Sequence, residues 1–277
     1  MNTLETLLEE IQAAQEAEDR FREGQLNAKI GKLLLARNIY HEAVNYYQRS
    51  ANLFEEAKKY NHQARTMNHL GICQVMMDQP HRALDSLNRA IELAEREGDL
   101  SIRASAAGNL GLAYCTLNDY TKAIEAHKSV LKIAQDLQDQ SMELNALINL
   151  ADASLQNKNF QSAQGFALVA QNLAESLEST PSLVLIYDLM GMISSRGGDL
   201  RSAVEYHQQA FETAKSLGDL QRQGIALANQ GLALEGLTEL NKAHQSMQQA
   251  QELFSRIKSD YLDKTRIDLE RIRKALS

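Results

Sequence analysis

The sequence predicts an all-α protein, a solenoid of helical hairpins, and three observations support this fold class. The chain has 2 prolines in 277 residues, too few for a turn-rich β architecture. Its commonest residues are Ala, Leu, Gln and Glu, which favour helices. The third observation is a repeat with a period of 40 residues, which is typical of proteins built from stacked helical units.

The repeat is defined by an anchor, a glycine or alanine that recurs at this period. The anchors are Gly31, Gly71, Gly111, Ala151, Gly191 and Gly231. Twelve residues after each anchor stands an alanine, at positions 43, 83, 123, 163, 203 and 243. An apolar residue precedes five of the six anchors, and Gln230 is the exception. Because an alanine stands at the same distance from the anchor in all six units, the repeat is not a chance pattern.

Each unit is predicted to form two helices joined by a turn. The first helix runs from about six residues before the anchor to about seven after it. Turn formers and N-cap residues follow it, as at Asn118-Asp119, Gln79-Pro80, Lys158-Asn159 and Gly198-Asp199. The second helix ends near Gly98 and Gly218, each followed by an aspartate that can cap the next helix. The anchor and the alanine twelve residues later are both small. We explain this by a close crossing of the two helices of a hairpin, because larger side chains there would push the helix axes apart.

The ends of the chain are predicted to be capping helices of a single solenoid domain. Residues 1–23 form the N-terminal cap, 24–258 the six repeats, and 259–277 the C-terminal cap. Caps with a polar face keep terminal repeats from exposing half a core. Residues 1–23 carry seven acids and two bases, and residues 256–277 carry seven bases and four acids. These opposite charges allow head-to-tail association of copies as one alternative.

The repeat resembles the tetratricopeptide repeat in its anchor glycine, its alanine twelve residues later, its preceding leucine and the aromatic residue at the turn. The period is similar to that of the longer-helix subclass, seen in Pins/LGN adaptors, kinesin light chains and bacterial peptide-sensing regulators. HEAT repeats have a comparable period but would not carry the Gly/Ala pair. The resemblance covers residues 24–258 and implies a right-handed solenoid whose first helices line a concave groove for another protein.

Composition argues against several other classes of function. The net charge of −7 and the pI of about 5.6 disfavour nucleic acid as a partner. The N-terminus is acidic where a signal peptide needs basic residues. The longest apolar run, residues 183–193, contains Asp188 and is too short to insert into a membrane. We therefore expect a cytoplasmic protein.

No catalytic, metal or cofactor site is expected. Cys73 and Cys115 form neither a disulfide framework nor a zinc ligand set. His127 and His207 share one register position, sixteen residues after their anchors, which indicates a structural role. The glycines around Gly111 lack the strand and the Lys-Ser/Thr of a phosphate loop. The chain is thus predicted not to be an enzyme.

The candidate binding residues lie on the first helices, and most of them are polar. Asparagine stands two residues before three of the six anchors, although it is a poor helix former. Its amide can pair with the backbone of a bound peptide, or it can bridge neighbouring repeats. The candidate partner-binding residues are Arg65, Asn68, His69, Asn109, Asn145, Asn149, Asp152, Asp188, Leu189, Met192, Arg196 and Asn229.

Two features refine the expected partner. Only Arg65 is basic among the residues six before the anchors, so the carboxylate clamp of chaperone-binding tetratricopeptide repeats is largely absent. The first helix of repeat five is apolar almost all round, with Leu185, Leu189 and Met192 where other repeats are polar. Such a helix must be covered by a partner, by the chain's own C-terminal helix or by a second copy.

The sequence therefore predicts a protein–protein interaction adaptor whose groove binds a segment of another protein. Two alternatives are an intracellular receptor for a short signalling peptide and a self-assembling scaffold. In the scaffold, copies would meet through the end caps or the repeat-five patch. Neither nucleic acid, nor membrane insertion, nor a cofactor is part of this prediction.

Overall fold

The computed structural model describes residues 4–276, and these residues form helices and turns without a β-strand. The helices in chain order are α1 (Leu4–Glu16), α2 (Arg20–Ala36), α3 (Tyr40–Glu56), α4 (Tyr60–Met76), α5 (Pro80–Glu97), α6 (Leu100–Thr116), α7 (Tyr120–Asp136), α8 (Gln140–Gln156), α9 (Phe160–Ser176), α10 (Thr180–Gly197), α11 (Leu200–Ser216), α12 (Leu220–Gly236), α13 (Leu240–Ile257) and α14 (Tyr261–Leu276). The six even-numbered helices from α2 to α12 contain the anchors and are called A helices below. The odd-numbered helices from α3 to α13 are called B helices.

The chain divides into two compact units, Met1–Ala146 and Leu147–Ser277. In the first unit, α1 packs on α2, and the hairpins α2–α3, α4–α5 and α6–α7 pack in succession. In the second unit, α9 packs on α10, the hairpins α10–α11 and α12–α13 follow, and α14 packs on α13. The all-helical hairpin repeat predicted from the sequence is confirmed.

Every connection between helices uses the same left-handed turn. One residue in each has a positive φ, and these residues recur every twenty positions. They are Glu18, Asn38, Lys58, Asp78, Gly98, Asn118, Gln138, Lys158, Glu178, Gly198, Gly218, Thr238 and Lys258. The turns predicted at Asn118, Lys158 and Gly198 are confirmed. The structural period is thus half the sequence period, because A and B helices end in the same way.

The A helices begin eleven residues before their anchors, so the predicted start at six residues before is wrong. α6 begins at Leu100 because Asp99 accepts a hydrogen bond from the Ile102 backbone N–H at 2.9 Å. Asp219 caps α12 in the same way, at 3.0 Å from the nitrogen of Arg222. α2 likewise begins at Arg20, four residues ahead of the boundary predicted at residue 24.

Each anchor glycine makes room for a large side chain of the next B helix, sixteen residues later. A Cβ added to Gly31 would lie 2.9 Å from the ring of Tyr47. On Gly71 it would lie 2.5 Å from Leu87. Gly111 and His127, Gly191 and His207, and Gly231 and Met247 are paired in the same way. Each glycine anchor therefore accommodates this large residue, a partner that the sequence did not predict. At Gly231 the backbone oxygen of Ala243, twelve residues later, also lies 3.3 Å from the added Cβ, as the predicted close crossing requires.

The alanines twelve residues after the anchors are nevertheless core residues, since all six are fully buried. A second size-matched pair lies at the other end of some hairpins. Gly24 would place a Cβ 2.9 Å from Phe54, and Gly224 would place one 2.5 Å from Phe254. In the second repeat the corresponding residues are Ala64 and Ala94, which belong to one buried cluster. In the first and sixth hairpins a glycine thus faces a phenylalanine, whereas the second hairpin has alanine at both positions.

The two end helices complete the cores of their own units. Leu7 and Ala14 of α1 are buried in a cluster with residues of α2, α3 and α4. On α14, Ile272 is fully buried in a cluster with Leu234 of α12 and Met247 of α13. Arg271 also donates two hydrogen bonds to the carboxylate of Glu235, at 2.9 and 2.7 Å. The C-terminal helix therefore covers the last hairpin.

The left-handed turns predict a stability gain at Thr238. This residue is β-branched and has a φ of 61°, a conformation that costs an L-residue roughly 1–2 kcal/mol. We expect Thr238→Gly to raise the free energy of unfolding by about 0.5–1 kcal/mol, because glycine's greater freedom in the unfolded chain offsets part of the gain. The measurement is urea denaturation followed by circular dichroism.

The matched control for this prediction is Gly198, which occupies the same turn position in the same unit. Its φ is 91°, so Gly198→Ala is expected to lower the free energy of unfolding by about 1 kcal/mol. A Thr238→Gly protein that is less stable than wild type would contradict the assignment of strain to this turn.

Candidate interaction surface

One face of the A helices carries most of the candidate residues. It contains the positions six before, two before, one after and five after each anchor, which fall on one stripe because an α-helix has 3.6 residues per turn. Arg65 and Asn145, six before their anchors, are exposed. Leu112 and Leu232, one after theirs, are 45% and 37% exposed. We call this stripe the A face.

In the first unit, two asparagines on neighbouring A helices bond to each other. The Nδ2 atom of Asn109 on α6 donates to Oδ1 of Asn68 on α4 at 2.8 Å. The Nδ2 atom of Asn68 donates in turn to Oγ of Ser105 at 3.1 Å. Asn68 is only 5% exposed. These two candidates therefore join adjacent repeats, as in the bridging alternative for asparagine.

The second unit has the same bridge with a carboxylate in place of one amide. Asn229 on α12 donates to Oδ1 of Asp188 on α10 at 2.9 Å. The Nδ1 atom of His207 on α11 lies 3.0 Å from the same oxygen, at ion-pair distance but outside hydrogen-bond geometry. The imidazole of His207 is 2% exposed. Asp188 is thus a junction of three helices, and His207 is the structural residue that its register predicted.

A third polar bridge joins α8 to α10. Arg196 donates to Oε1 of Gln156 at 2.9 Å, and Gln156 donates to Oδ1 of Asp152 at 3.1 Å. Arg196 and Gln156 stand at the same position, five residues after their anchors. The candidates Asp152 and Arg196 are therefore brought together through Gln156.

The remaining candidates differ in exposure. Asn149 is half-buried. Its side chain forms no hydrogen bond with another residue among residues 4–276, so its amide is available to a ligand. Leu189 is 4% exposed, contrary to the expectation of an open apolar side chain there. Met192 is half-buried and Leu185 is 41% exposed. The apolar surface of repeat five is thus narrower than the sequence predicted, and Leu189 belongs to the core.

A cationic cleft between α2 and α4 was not predicted from the sequence. It has a volume of about 350 Å³, and Lys29, Lys32, Arg65 and His69 are among its lining residues. His69 lies with its ring stacked on Tyr47, at a centroid distance of 5.4 Å. Burial lowers the pKa of His69, and the charges of Lys32 and Arg65 lower it further. Lys29 and Lys32 stand two residues before and one residue after their anchor, where no other repeat carries Lys or Arg, so no repeated pattern marks this cluster.

A second cleft, of about 590 Å³, lies between α11 and α13. Gln230, the one polar residue directly before an anchor, lines it and is 7% exposed. Its Nε2 donates to Gln208 at 2.8 Å, and its Oε1 accepts from Ser246 at 3.0 Å. The exception in the sequence pattern is therefore a hydrogen-bonded link between two B helices.

Two further findings concern residues 4–276 only. No group of three or more His, Cys, Asp or Glu side chains is placed to hold a metal ion. No helix within this range is long and apolar enough to cross a membrane.

The hairpins, their shared turns and their glycine anchors define a helical-repeat protein. Residues 23–96 and residues 106–141 match family models of the tetratricopeptide repeat. These two segments are therefore tetratricopeptide repeats, which confirms the resemblance noted in the sequence. No curated protein matches it significantly.

Several solved structures share the fold. A signal transduction ATPase with a tetratricopeptide-repeat sensor from Pyrococcus horikoshii has a TM-score of 0.79 at 14% identity, over 96% of this chain and 41% of that one. Aspartyl phosphate phosphatase F from Bacillus subtilis has a TM-score of 0.71 at 16% identity, over 99% and 75%. A Rap conjugation gene regulator of the plasmid pLS20, in complex with the Phr* peptide, has a TM-score of 0.56 at 14% identity, over 95% and 76%. The chain spans about two fifths of the first of these proteins, and such identities establish the fold alone.

The junction at Asp188 predicts a large loss of stability. Asp188→Ala leaves the donor of Asn229 and the buried imidazole of His207 without their carboxylate. A hydrogen bond to a charged group contributes about 1.5–3 kcal/mol, so loss of the bond from Asn229 to Asp188 should lower the free energy of unfolding by roughly 2 kcal/mol. Urea denaturation measures it.

Asn149→Ala is the matched control, because it removes a polar residue on a neighbouring A helix that makes no side-chain hydrogen bond. Its free energy of unfolding should stay within about 0.5 kcal/mol of wild type. Equal losses in Asp188→Ala and Asn149→Ala would show that the bridge contributes nothing specific.

Proposed function

We propose that this chain is a non-enzymatic adaptor that binds a segment of another protein along the A face. One observation carries the proposal: exposed apolar side chains recur on this face among amides and charges. Leu112, Leu185 and Leu232 are 45%, 41% and 37% exposed, and Met76 is 56% exposed. Apolar residues set among polar ones are typical of protein interfaces.

The chemistry of the A face suits a peptide segment. Leucine and methionine side chains can bury the apolar residues of a ligand, and Met adapts to different shapes. The free amide of Asn149 can both donate to and accept from a ligand backbone. Since these side chains stand on packed helices, little conformational entropy opposes binding.

The solved structures that share this fold support the proposal at the level of the fold. One solved protein with the same fold is named as a regulator in complex with a peptide. This neighbour favours a second candidate, a receptor for a short signalling peptide. The two candidates share the A face and differ in whether the ligand is free or part of a larger protein.

The proposal predicts which surface leucines matter for binding. Short peptides are first selected on the purified chain from a random library, and their dissociation constants are measured by fluorescence anisotropy. We expect Leu112→Asp or Leu232→Asp to weaken binding by about tenfold or more, because burying one leucine contributes about 1.5–3 kcal/mol. Asn149→Ala should weaken binding while the fold stays intact.

Leu168 provides the control for these substitutions. It is 43% exposed, but it lies on the B helix α9. Leu168→Asp is therefore expected to leave the dissociation constant unchanged. If Leu168→Asp abolishes binding and the A-face variants bind normally, the ligand binds elsewhere and the proposal is wrong.

A further inference from the structure

We propose that the outward face of α9 is a contact between two copies of this chain, on a surface that the proposed function does not use. The face consists of Gly165, Leu168, Val169 and Asn172, which lie on one side of the helix because they are spaced as i, i+3, i+4 and i+7. All four residues are exposed. We call them the α9 stripe, and the contact is a two-fold symmetric dimer of stripe against stripe.

The α9 stripe differs from the same face of every other B helix. Its residues stand 14, 17, 18 and 21 positions after the anchor of their repeat, and in the other five repeats these positions carry only polar or charged residues. On α7, for example, they are Glu125, Lys128, Ser129 and Lys132. Polar residues are therefore the rule on this face of the B helices, and the apolar residues of α9 are the exception.

The apolar part of the stripe is a patch and not an isolated side chain. Leu168 and Val169 are 43% and 52% exposed. Among residues 4–276 they are the one pair of consecutive large apolar residues that is exposed. Because adjoining apolar side chains mark a contact surface more strongly than scattered ones do, the pair indicates a surface that another molecule covers.

Gly165 supplies a second, independent observation. A glycine inside a helix is less favourable than an alanine. The anchor Gly111 needs to be glycine because an added Cβ would collide with His127, whereas a Cβ added to Gly165 would meet nothing within 4 Å. Packing inside the chain therefore does not require this glycine. A helix of another molecule that crosses α9 at this point does require it, because glycine lets two helix axes approach closely.

The charge pattern favours a second copy as the molecule that covers the stripe. In a two-fold contact each residue faces the same surface on its copy, so a charged stripe would face like charge. The chain has a net charge of −7, which makes two copies repel each other. The α9 stripe has no charge, and Glu175 is the only charged residue of α9. Two copies can therefore meet here with little repulsion.

The polar residues in and beside the stripe are also self-complementary. Gln161, Gln164 and Asn172 are exposed on α9. A side-chain amide both donates and accepts hydrogen bonds, so it can pair with the same group on a second copy. Two carboxylates or two ammonium groups cannot pair in this way. A strongly acidic or basic partner would find no opposite charge on the stripe.

The test is analytical ultracentrifugation of the full chain from about 1 µM to 1 mM, the range in which a contact smaller than a standard interface associates. Wild type should pass from monomer to dimer. Leu168→Asp should raise the dissociation constant by about a hundredfold or more, because a two-fold contact carries the substitution twice.

Gly165→Gln tests the helix crossing without a risk to the fold. The added side chain meets nothing within the chain, so the variant should be at least as resistant to urea as wild type. Its dimer should nevertheless be weaker, because the side chain occupies the space where the second copy approaches.

Gln248→Asp is the matched control. Gln248 is exposed on α13 in the same unit, at the same distance from its anchor as Leu168, so the variant adds the same charge to a different B helix. It should dimerise as wild type does. A wild-type chain that stays monomeric up to 1 mM overturns the inference. A dimer that neither Leu168→Asp nor Gly165→Gln weakens also overturns it, because the copies then meet elsewhere. Both outcomes leave peptide binding on the A face, and hence the proposed function, untouched.

Discussion

The fit between each anchor and the side chain sixteen residues later is the constraint on which the rest of the structure depends. In five repeats the anchor is glycine, and it accommodates Tyr, Leu, His or Met from the B helix. In the fourth repeat the anchor is Ala151, and the residue sixteen later is Ala167, with both fully buried. A glycine anchor is thus matched by a large side chain of the B helix, and the alanine anchor is matched by a small one. Close packing of this kind sets the distance between two helix axes.

This constraint leaves the A face free for other roles. Because the hairpin interior is filled from the B helix, the outward side chains of the A helices do not determine packing within the hairpin. Some of them link neighbouring repeats, as Asn109 does with Asn68 and Asn229 with Asp188. Others, such as Leu112 and Asn149, are open to solvent or make no side-chain bond. The same stripe can therefore hold the repeats together and present a surface to a partner.

The sequence predicted the fold and the anchors, because a small residue and an alanine recur at a fixed spacing. It predicted only some of the turns, because the residue with positive φ varies from Gly and Asn to Glu, Lys and Thr. It did not reveal the partner of the anchor, since Tyr47, His127 and Met247 share a position but not a chemistry. Nor did it reveal the cationic cleft, because Lys32 and Arg65 occupy different register positions and approach only when α2 packs near α4. The bridge at Asp188 was missed for a similar reason, since its three residues come from three helices. Contacts between unlike positions need the folded chain.

The central claim is tested most directly by a double-mutant cycle at Gly111 and His127, measured as free energies of unfolding in urea. Gly111→Ala alone should destabilise the protein by about 1–3 kcal/mol, because the methyl group overpacks against the imidazole. In the His127→Ala background the same substitution should be neutral or stabilising, since it recreates the pair found at Ala151 and Ala167 and alanine favours helix. An equal loss in both backgrounds would contradict the account.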